Sequence, residues 1–176
     1  GRVGFDVDDA LGRVAALVRA SGAHLGAVID ADGERLLLVD DQGRVLTNTE
    51  TLLAFVELVS DHLLGDTIAL PANTTQRANE IATNHGVQVV PTKLSTPALM
   101  AAASLPGVGF AADGAGGYIL PGFLPAYDGA AALLKMLDLL ARSNRSLSEV
   151  IDGLPKVHLV HETEIGRASC RERVSS

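Results

Sequence analysis

Residues 25–43 read LGAVIDADGERLLLVDDQG, and they contain the clearest strand and turn signals in the chain. Two apolar runs, residues 25–29 and 36–39, have the length and composition of buried strands. A short acidic turn separates the runs and contains four charged residues: Asp30, Asp32, Glu34 and Arg35. The stretch therefore predicts two strands joined by a turn in which three carboxylates lie close together.

The acidic turn has two interpretations. Carboxylates at alternate positions can direct several oxygens at one point, as Mg²⁺ requires, with water completing its coordination. Arg35 could then balance the spare negative charge or contact a phosphate. The alternative is a hairpin whose turn is polar because it faces water, with Asp32 and Gly33 as ordinary turn residues. Spacing alone leaves both interpretations open.

Composition restricts the class of protein. The 176 residues are 47% hydrophobic and 3% aromatic, with 18 glycines, which is typical of a small-residue α/β domain rather than a disordered chain. There are 14 Lys and Arg against 21 Asp and Glu, a net charge of −7. This balance argues against nucleic acid or an anionic membrane as a partner.

The chain shows no membrane or export signal. No apolar run approaches the ~20 residues that span a bilayer, and the first residues lack a basic segment followed by an apolar one. The single cysteine, Cys170, excludes an internal disulfide and a zinc site with several cysteines. These features predict a cytoplasmic protein.

Strand and helix patterns alternate after the acidic turn. Such alternation predicts βαβ units, a mostly parallel sheet covered on both faces, and function at the carboxyl ends of the strands. We expect a three-layer α/β/α domain. Its predicted strands are residues 67–70, 87–90 and 108–111, and its predicted helices are about residues 50–64, 73–84, 96–103 and 127–141.

The spacing of capping residues and of apolar residues predicts where helices begin and which of their faces are buried. Thr47 with Glu50, and Ser146 with Glu149, have the spacing of capping boxes. The 3.6-residue period predicts two core-facing sets, one on the first helix (Leu11, Val14, Leu17 and Val18) and one on the last long helix (Leu133, Leu134, Leu137 and Leu140).

Domain boundaries are placed by these patterns and by a change of composition. Residues 1–44 contain one helix and the strand pair, and we interpret them as an incomplete piece of a second α/β domain. We expect residues 45–163 to form the three-layer domain, with a closing strand at residues 157–160. Residues 164–176 have three arginines, three serines and no apolar period, which is typical of a non-native or disordered tail.

The acidic turn resembles the metal loop of the alpha-D-phosphohexomutases, whose pattern is L-G-I-A-x-D-x-D-x-D-R followed by an apolar strand and V-D-x-x-G. Asp30, Asp32 and Arg35 match this pattern, and Glu34 stands at the third aspartate. The resemblance implies that Asp30, Asp32 and Glu34 hold Mg²⁺ and that Arg35 supports the phosphoryl group. Because Glu34 has a longer side chain than aspartate, we expect the Mg²⁺ to be weakly bound or lost.

A second loop resembles the sugar-recognition loop of the same family, F-x-G-E-x-S-G-H, which precedes D-G at a helix start. Phe110 and Gly116 match, and Asp128-Gly129 follow at the expected distance. Asp113 replaces the glutamate, and Ala115 and Gly117 replace the serine and histidine. The resemblance implies that Asp113 faces the sugar, with fewer polar partners than usual.

The resemblance covers the end of the second domain and the third domain of a four-domain enzyme. It implies a protein of carbohydrate metabolism that moves phosphate between two positions of a hexose phosphate. The family's phosphoserine pattern, T-A-S-H-N-P, is absent from the sequence, so we expect no catalytic residue in this fragment and no activity from it alone. Its partners would be the hexose phosphate and the missing domains.

A second hypothesis is non-catalytic. The same fold would serve as a degenerate phosphomannomutase-like module, fused to a sugar-nucleotide pyrophosphorylase of the mannose-1-phosphate guanylyltransferase type. The substitutions in both loops favour this alternative.

Overall fold

The computed structural model describes residues 6–62 and 67–154. The helices in these residues are α1 (Val7–Ser21), α2 (Asn48–His62), α3 (Gln76–Asn84), α4 (Thr96–Ala103), α5 (Gly129–Ser143) and α6 (Leu147–Gly153). The strands are β1 (Gly26–Ile29), β2 (Leu36–Val39), β3 (Thr67–Pro71), β4 (Gln88–Thr92), β5 (Val108–Ala112), β6 (Tyr118–Leu120) and β7 (Leu124–Tyr127). The predicted strand at residues 157–160 and the predicted tail at residues 164–176 lie outside the described residues.

Five strands form the central sheet, in the order β4-β3-β5-β6-β7. Strand β3 pairs in parallel with β4 and with β5, whereas β6 and β7 continue the sheet antiparallel. The predicted α/β class is confirmed. The antiparallel extension was not predicted, because β6 has three residues and β7 contains a proline, so neither gives a clear strand pattern.

Alternate residues of the parallel strands face two separate apolar clusters, as the period of two in a strand requires. Ile68 and Leu70 of β3 belong to one cluster, and Ala69 between them belongs to the other. Strand β5 repeats this division with Phe110 and Ala111. The first cluster includes residues of α2, α3, α5 and α6, and the second includes residues of α4, so helices cover both faces of the sheet.

Both predicted capping boxes form. The Glu50 amide donates to Thr47 Oγ1 at 3.1 Å, and the Thr47 amide donates to the Glu50 carboxylate at 2.8 Å. Ser146 and Glu149 exchange the equivalent bonds at the start of α6. Helix α3 begins at Gln76, three residues later than predicted, and is capped by Thr75, whose hydroxyl accepts from the Arg77 amide.

The predicted core side of α5 is correct for Leu140 and for the partly buried Leu133, and wrong for Leu134 and Leu137. Leu134 and Leu137 are 68% and 42% exposed, and the buried positions are Ala132, Met136, Leu139 and Leu140. The same error affects α1, where Leu17 is 66% exposed and Ala15 takes its place in the core. In both helices an alanine or a methionine is buried, and a leucine one or two positions away is exposed.

Helix α1 packs on the antiparallel hairpin β1–β2 and forms a third apolar cluster, with Leu11, Val18, Val28 and Val39 buried. The helix begins at Asp6, whose carboxylate accepts from the amides of Asp8 and Asp9, and ends at Gly22 with φ 66°. The positive φ favours glycine and stops the helix. This small unit places the turn at residues 30–35 beside the larger sheet.

A polar junction fixes the hairpin to α6. One oxygen of Asp41 accepts from the Ser148 amide at 2.8 Å, and the other accepts from the Ser148 hydroxyl at 2.9 Å. Arg44 bonds the buried Asp40 at 2.8 Å and Asp152 at 3.0 Å. Partial burial would raise the pKa of Asp41, but the bonds from Ser148 and Gln42 outweigh it, and the pKa lies below its ordinary value.

No helix within residues 6–62 and 67–154 combines the length and the hydropathy that crossing a bilayer requires.

Candidate functional site

The acidic turn is ordered by the first of its carboxylates. Asp30 Oδ1 accepts from the amides of Glu34 and Arg35 at 2.9 and 3.1 Å. The Gly33 amide donates to the Asp30 carbonyl, and Gly33 has a φ of 77°, a value that other residues rarely adopt. One Asp30 oxygen therefore holds the turn, and its second oxygen has no bond within the turn.

The side chains of Asp32 and Glu34 are exposed at the tip of the turn. Their carboxylates and that of Asp30 offer the oxygen ligands that Mg²⁺ prefers. They do not converge in this conformation: within the described ranges, the one group of three with ligand atoms inside 4.8 Å of one another is Glu57, Asp61 and His85. The donor chemistry of the turn fits Mg²⁺, and binding would require the two exposed side chains to turn inward.

The glycine-rich loop after β5 is organised by Asp113. Its Oδ1 accepts from the Ala115 amide at 2.7 Å and from the Gly117 amide at 2.9 Å. The Asp113 amide donates to the Gly117 carbonyl at 3.1 Å, which closes the loop. Asp113 thus stabilises the loop with one oxygen, and its second oxygen, Oδ2, lies on the side of Gly117 and Tyr127.

The two loops are in direct contact. Arg35 Nη1 donates to the Ala115 carbonyl at 2.8 Å, and the Leu36 amide donates to the Gly116 carbonyl at 3.0 Å. Arg35 and Gly117 also form an isolated antiparallel bridge. The structure therefore brings the loop of Arg35 and the loop of Asp113 together, through one side-chain bond and main-chain contacts at the start of β2.

The acidic turn also contacts the start of α5. The Gly129 amide donates to the Gly33 carbonyl at 2.8 Å. A Cβ atom on Gly129 would lie 2.9 Å from the side chain of Ile29 and 3.2 Å from the Gly33 carbonyl oxygen. Such approaches are tighter than ordinary van der Waals contacts, so a residue with a side chain here would require Ile29 and the turn to shift.

A cleft of about 210 Å³ opens between the two loops and the end of β4. Its polar lining residues are Arg35, Lys93, Ser95, Thr96, Asp113 and Tyr127. Burial, and then the negative charge of Asp113, raise the pKa of Tyr127 to about 12, so its hydroxyl stays protonated at neutral pH. The Tyr127 hydroxyl interacts with Asp113 and Thr96.

Sequence reasoning missed Lys93, Thr96 and Tyr127 as lining residues. Lys93 and Thr96 follow the carboxyl end of β4, where a parallel sheet places its ligand residues, and this rule could have identified them. Tyr127 ends β7, a strand without a recognisable pattern, so no signal pointed to it.

A separate ionic cluster lies between α2 and the end of α3. His85 Nε2 is 3.2 Å from Glu57 Oε2, and His85 Nδ1 is 2.8 Å from Asp61 Oδ1. Arg145 lies 3.4 Å from the other oxygen of Glu57. Each carboxylate already has a cationic or imidazole partner, so the cluster is explained as a packing contact between helices.

The fold and the paired loops define an α/β protein with a polar cleft at the carboxyl ends of parallel strands. Residues 48–158 match the family model described as phosphoglucomutase/phosphomannomutase, alpha/beta/alpha domain III. The chain therefore belongs to the phosphoglucomutase/phosphomannomutase family.

Individual relatives agree with this assignment. The chain is 30% identical over 143 residues to a phosphoglucomutase/phosphomannomutase of Thermococcus kodakarensis, covering 81% of this chain and 31% of the relative. It is 28% identical to a phosphoglucosamine/phosphogalactosamine mutase of Sulfurisphaera tokodaii, covering 86% of this chain and 34% of that one. It thus spans about a third of the length of these curated relatives.

A solved structure supports the fold. A phosphoglucomutase/phosphomannomutase family protein of Burkholderia thailandensis superimposes with a TM-score of 0.70 at 24% identity, covering 84% of this chain and 32% of that one.

Proposed function

We propose that this chain is the metal-loop and sugar-loop part of a phosphohexomutase, an enzyme that moves a phosphoryl group between two positions of a hexose phosphate. The observation that carries the proposal is the direct contact between the two loops, through Arg35 and Ala115. Residues 1–44 would be the end of a second domain and residues 45–163 the third domain. Hexose phosphates are cytoplasmic metabolites, so we also propose a cytoplasmic location.

Each loop would have a distinct task. Asp30, Asp32 and Glu34 would hold Mg²⁺, which supplies positive charge to the transferring phosphoryl group. Arg35 Nη1 donates to the Ala115 carbonyl, and the other N–H groups of the guanidinium can contact phosphate oxygens. Asp113 would accept from a sugar hydroxyl through Oδ2, since Oδ1 already bonds two loop amides.

We infer that the chain alone does not catalyse the transfer. The phosphoserine pattern of the family is absent from its 176 residues. The remaining residues can bind and orient a sugar phosphate, but none of them supplies the phosphoryl group. The missing domains of the same protein would provide that group and hold the substrate phosphate.

The alternative function is a degenerate, non-catalytic module attached to a sugar-nucleotide pyrophosphorylase. The geometry of the sugar loop favours it at one point. A Cβ on Gly117 would lie 2.7 Å from Asp113 Oδ2 and 2.8 Å from the Tyr127 ring. Neighbouring atoms fill the space beside Gly117. The histidine that the family has at this position would therefore require a rearrangement of the loop.

Binding distinguishes the two proposals. We would titrate the isotope-labelled chain with α-D-glucose 1-phosphate and Mg²⁺ and follow its amide NMR signals. The mutase proposal expects shifts at residues 30–36 and 113–117, reduced in Arg35→Met and retained in the control Arg13→Met. No shift at either loop up to tens of millimolar sugar phosphate would contradict the mutase proposal and favour the module.

The surrounding gene would give independent information. A T-A-S-H-N-P pattern upstream in the same reading frame would support the mutase. A G-G-x-G-T-R-L pattern would support fusion to a nucleotidyltransferase.

A further inference from the structure

The two carboxylate oxygens of Asp113 have different roles in the glycine-rich loop. Oδ1 accepts from the amides of Ala115 and Gly117 at 2.7 and 2.9 Å, so it is committed to the loop. Oδ2 takes no part in these bonds. The torsion that sets the direction of Oδ2, about the Cβ–Cγ bond, has a broad energy profile in aspartate. The side chain that lies beside Oδ2 therefore determines how well this oxygen is oriented.

Tyr127 is the side chain beside Oδ2. A Cβ atom placed on Gly117 would lie 2.7 Å from Asp113 Oδ2, and 2.8 and 3.0 Å from the Cε1 and Cδ1 atoms of the Tyr127 ring. The carboxylate oxygen and the edge of the ring next to the hydroxyl therefore approach the same point at Gly117. Tyr127 and Asp113 also line the same cleft of about 210 Å³.

The ring of Tyr127 is held in place by packing. Tyr127 pairs with Ile119 across β6 and β7, and its side chain packs against the apolar cluster that contains Leu99 and Ile119. Gly117 leaves room for the ring because it has no side chain. Its φ lies outside the left-handed region, so its backbone conformation alone does not require glycine. A ring confined in this way holds its hydroxyl at a defined position.

The Tyr127 hydroxyl connects two parts of the cleft wall. It interacts with Asp113 and with Thr96, the first residue of α4. Burial raises the pKa of Tyr127 to about 12, so the hydroxyl is protonated at neutral pH. Because an ionised carboxylate only accepts, the hydroxyl donates to Asp113, and its oxygen can accept from the Thr96 hydroxyl. The three side chains thus form a chain of donors that ends at the carboxylate.

We propose that Tyr127 is a positioning residue for sugar binding, whose hydroxyl holds Asp113 Oδ2 in the direction in which that oxygen accepts from a hexose hydroxyl. This inference rests on the proposed function and adds a residue of β7 to the site. Orienting an acceptor before the ligand arrives lowers the entropic cost of binding. Loss of the tyrosine hydroxyl should therefore weaken binding by about fivefold, within the range of one hydrogen bond.

The first test compares two tyrosine variants of the full chain. Dissociation constants for α-D-glucose 1-phosphate come from the amide NMR shifts of residues 113–117. We expect Tyr127→Phe, which keeps the ring, to bind about fivefold more weakly than the parent. Tyr118→Phe is the matched control, because Tyr118 is the other tyrosine of the chain and its buried hydroxyl makes no hydrogen bond to the described residues. Its affinity should equal that of the parent.

The second test asks whether Tyr127 acts through Asp113. Asp113→Asn keeps a side-chain oxygen for the two loop amides and replaces the other by an amide group. In this background, Tyr127→Phe should change the affinity by less than about twofold, because coupled residues are not additive. Without ligand, the ¹³Cζ NMR signal of Tyr127, which reports the hydrogen bonding of its hydroxyl, should move in Asp113→Asn and stay in Glu80→Gln.

The outcomes separate this inference from the proposed function. Equal affinity of the parent and Tyr127→Phe overturns the inference and leaves the mutase proposal standing. The same holds for an equal loss in Tyr118→Phe, for a full loss in the Asp113→Asn background, and for a Tyr127 ¹³Cζ signal that ignores Asp113→Asn. Absence of binding by the parent contradicts the mutase proposal, and the inference falls with it.

Discussion

Arg35 Nη1 donates a 2.8 Å hydrogen bond to the carbonyl oxygen of Ala115, a residue 80 positions away in the chain. This bond joins the acidic turn between β1 and β2 to the glycine-rich loop that follows β5. Because Arg35 uses its side chain here and its backbone in the adjacent bridge to Gly117, the two loops form one continuous wall of the cleft.

Arg35→Met should weaken the contact between the two loops. The loss of one hydrogen bond from a charged donor should lower the free energy of unfolding by about 1–2 kcal/mol. Amide hydrogen exchange at Leu36, whose N–H bonds Gly116, should become faster. Urea unfolding and native-state exchange measure both effects. Arg13→Met removes only an exposed pair with Asp9 and should stay within ~0.5 kcal/mol of the parent; equal losses in the two variants would refute the prediction.

Mg²⁺ should bind the acidic turn weakly, with a dissociation constant on the order of a millimolar. Asp32 and Glu34 must reorient, and one oxygen of Asp30 is already bonded to two amides. Calorimetric titration should show that Asp32→Asn abolishes binding and that Glu34→Asp strengthens it. Glu80→Gln, an exposed acid elsewhere, is the control. Micromolar affinity in the unmodified chain would show that the longer Glu34 side chain is tolerated.

Gly117→Ala should destabilise the sugar loop, because the new Cβ would approach the Tyr127 ring within 2.8 Å. Overpacking of this kind typically costs about 1–3 kcal/mol. Gly122→Ala is the matched control, since nothing lies within 4 Å of its Cβ position. Thermal unfolding of both variants tests the difference. An unchanged midpoint for Gly117→Ala would show that Asp113 and Tyr127 yield readily.

The Asp41 junction should make stability depend on pH. The pKa of Asp41 lies below its ordinary value in the folded chain, so its contribution is complete above the unfolded pKa of about 4 and is lost as pH falls through the folded value. Asp41→Asn should therefore be less stable than the parent by about 1 kcal/mol at pH 7, and the difference should shrink below pH 4. Urea unfolding between pH 2.5 and 7 measures it; a gap that stays constant to pH 2.5 would contradict this assignment.

Helix α5 offers a comparison between identical residue types. Leu139 is fully buried and Leu134 is 68% exposed. Leu139→Ala should cost about 2–5 kcal/mol, whereas Leu134→Ala should stay within ~0.5 kcal/mol. Denaturant unfolding of the two variants decides the point, and similar losses would mean that the outer face of α5 is covered in solution.

The sequence predicted the α/β class because strands and capped helices alternate with ordinary spacing. It failed on the rotation of α5, where five leucines (Leu133, Leu134, Leu137, Leu139 and Leu140) offer two overlapping apolar faces. Ala132 and Met136 are buried with Leu139 and Leu140, so the side of the helix that fits against the core includes two positions without leucine. Periodicity alone contains no information about that fit.

The candidate site was predicted only in part. Arg35 and Asp113 lie on loops with recognisable patterns, so each was identified from its neighbours in the sequence. Lys93 and Tyr127 line the same cleft from strands on opposite sides of the central one. Their proximity follows from strand order, which a single sequence does not specify.

The bond between the Gly129 amide and the Gly33 carbonyl has a mechanical consequence. The hairpin is attached to the start of α5 at this point, and the segment after it is attached to α6 through Asp41 and Ser148. Two anchors on one hairpin oppose rotation about either of them. Any hinge that opened or closed this protein around a ligand would lie outside the hairpin and these two helices, which would move together.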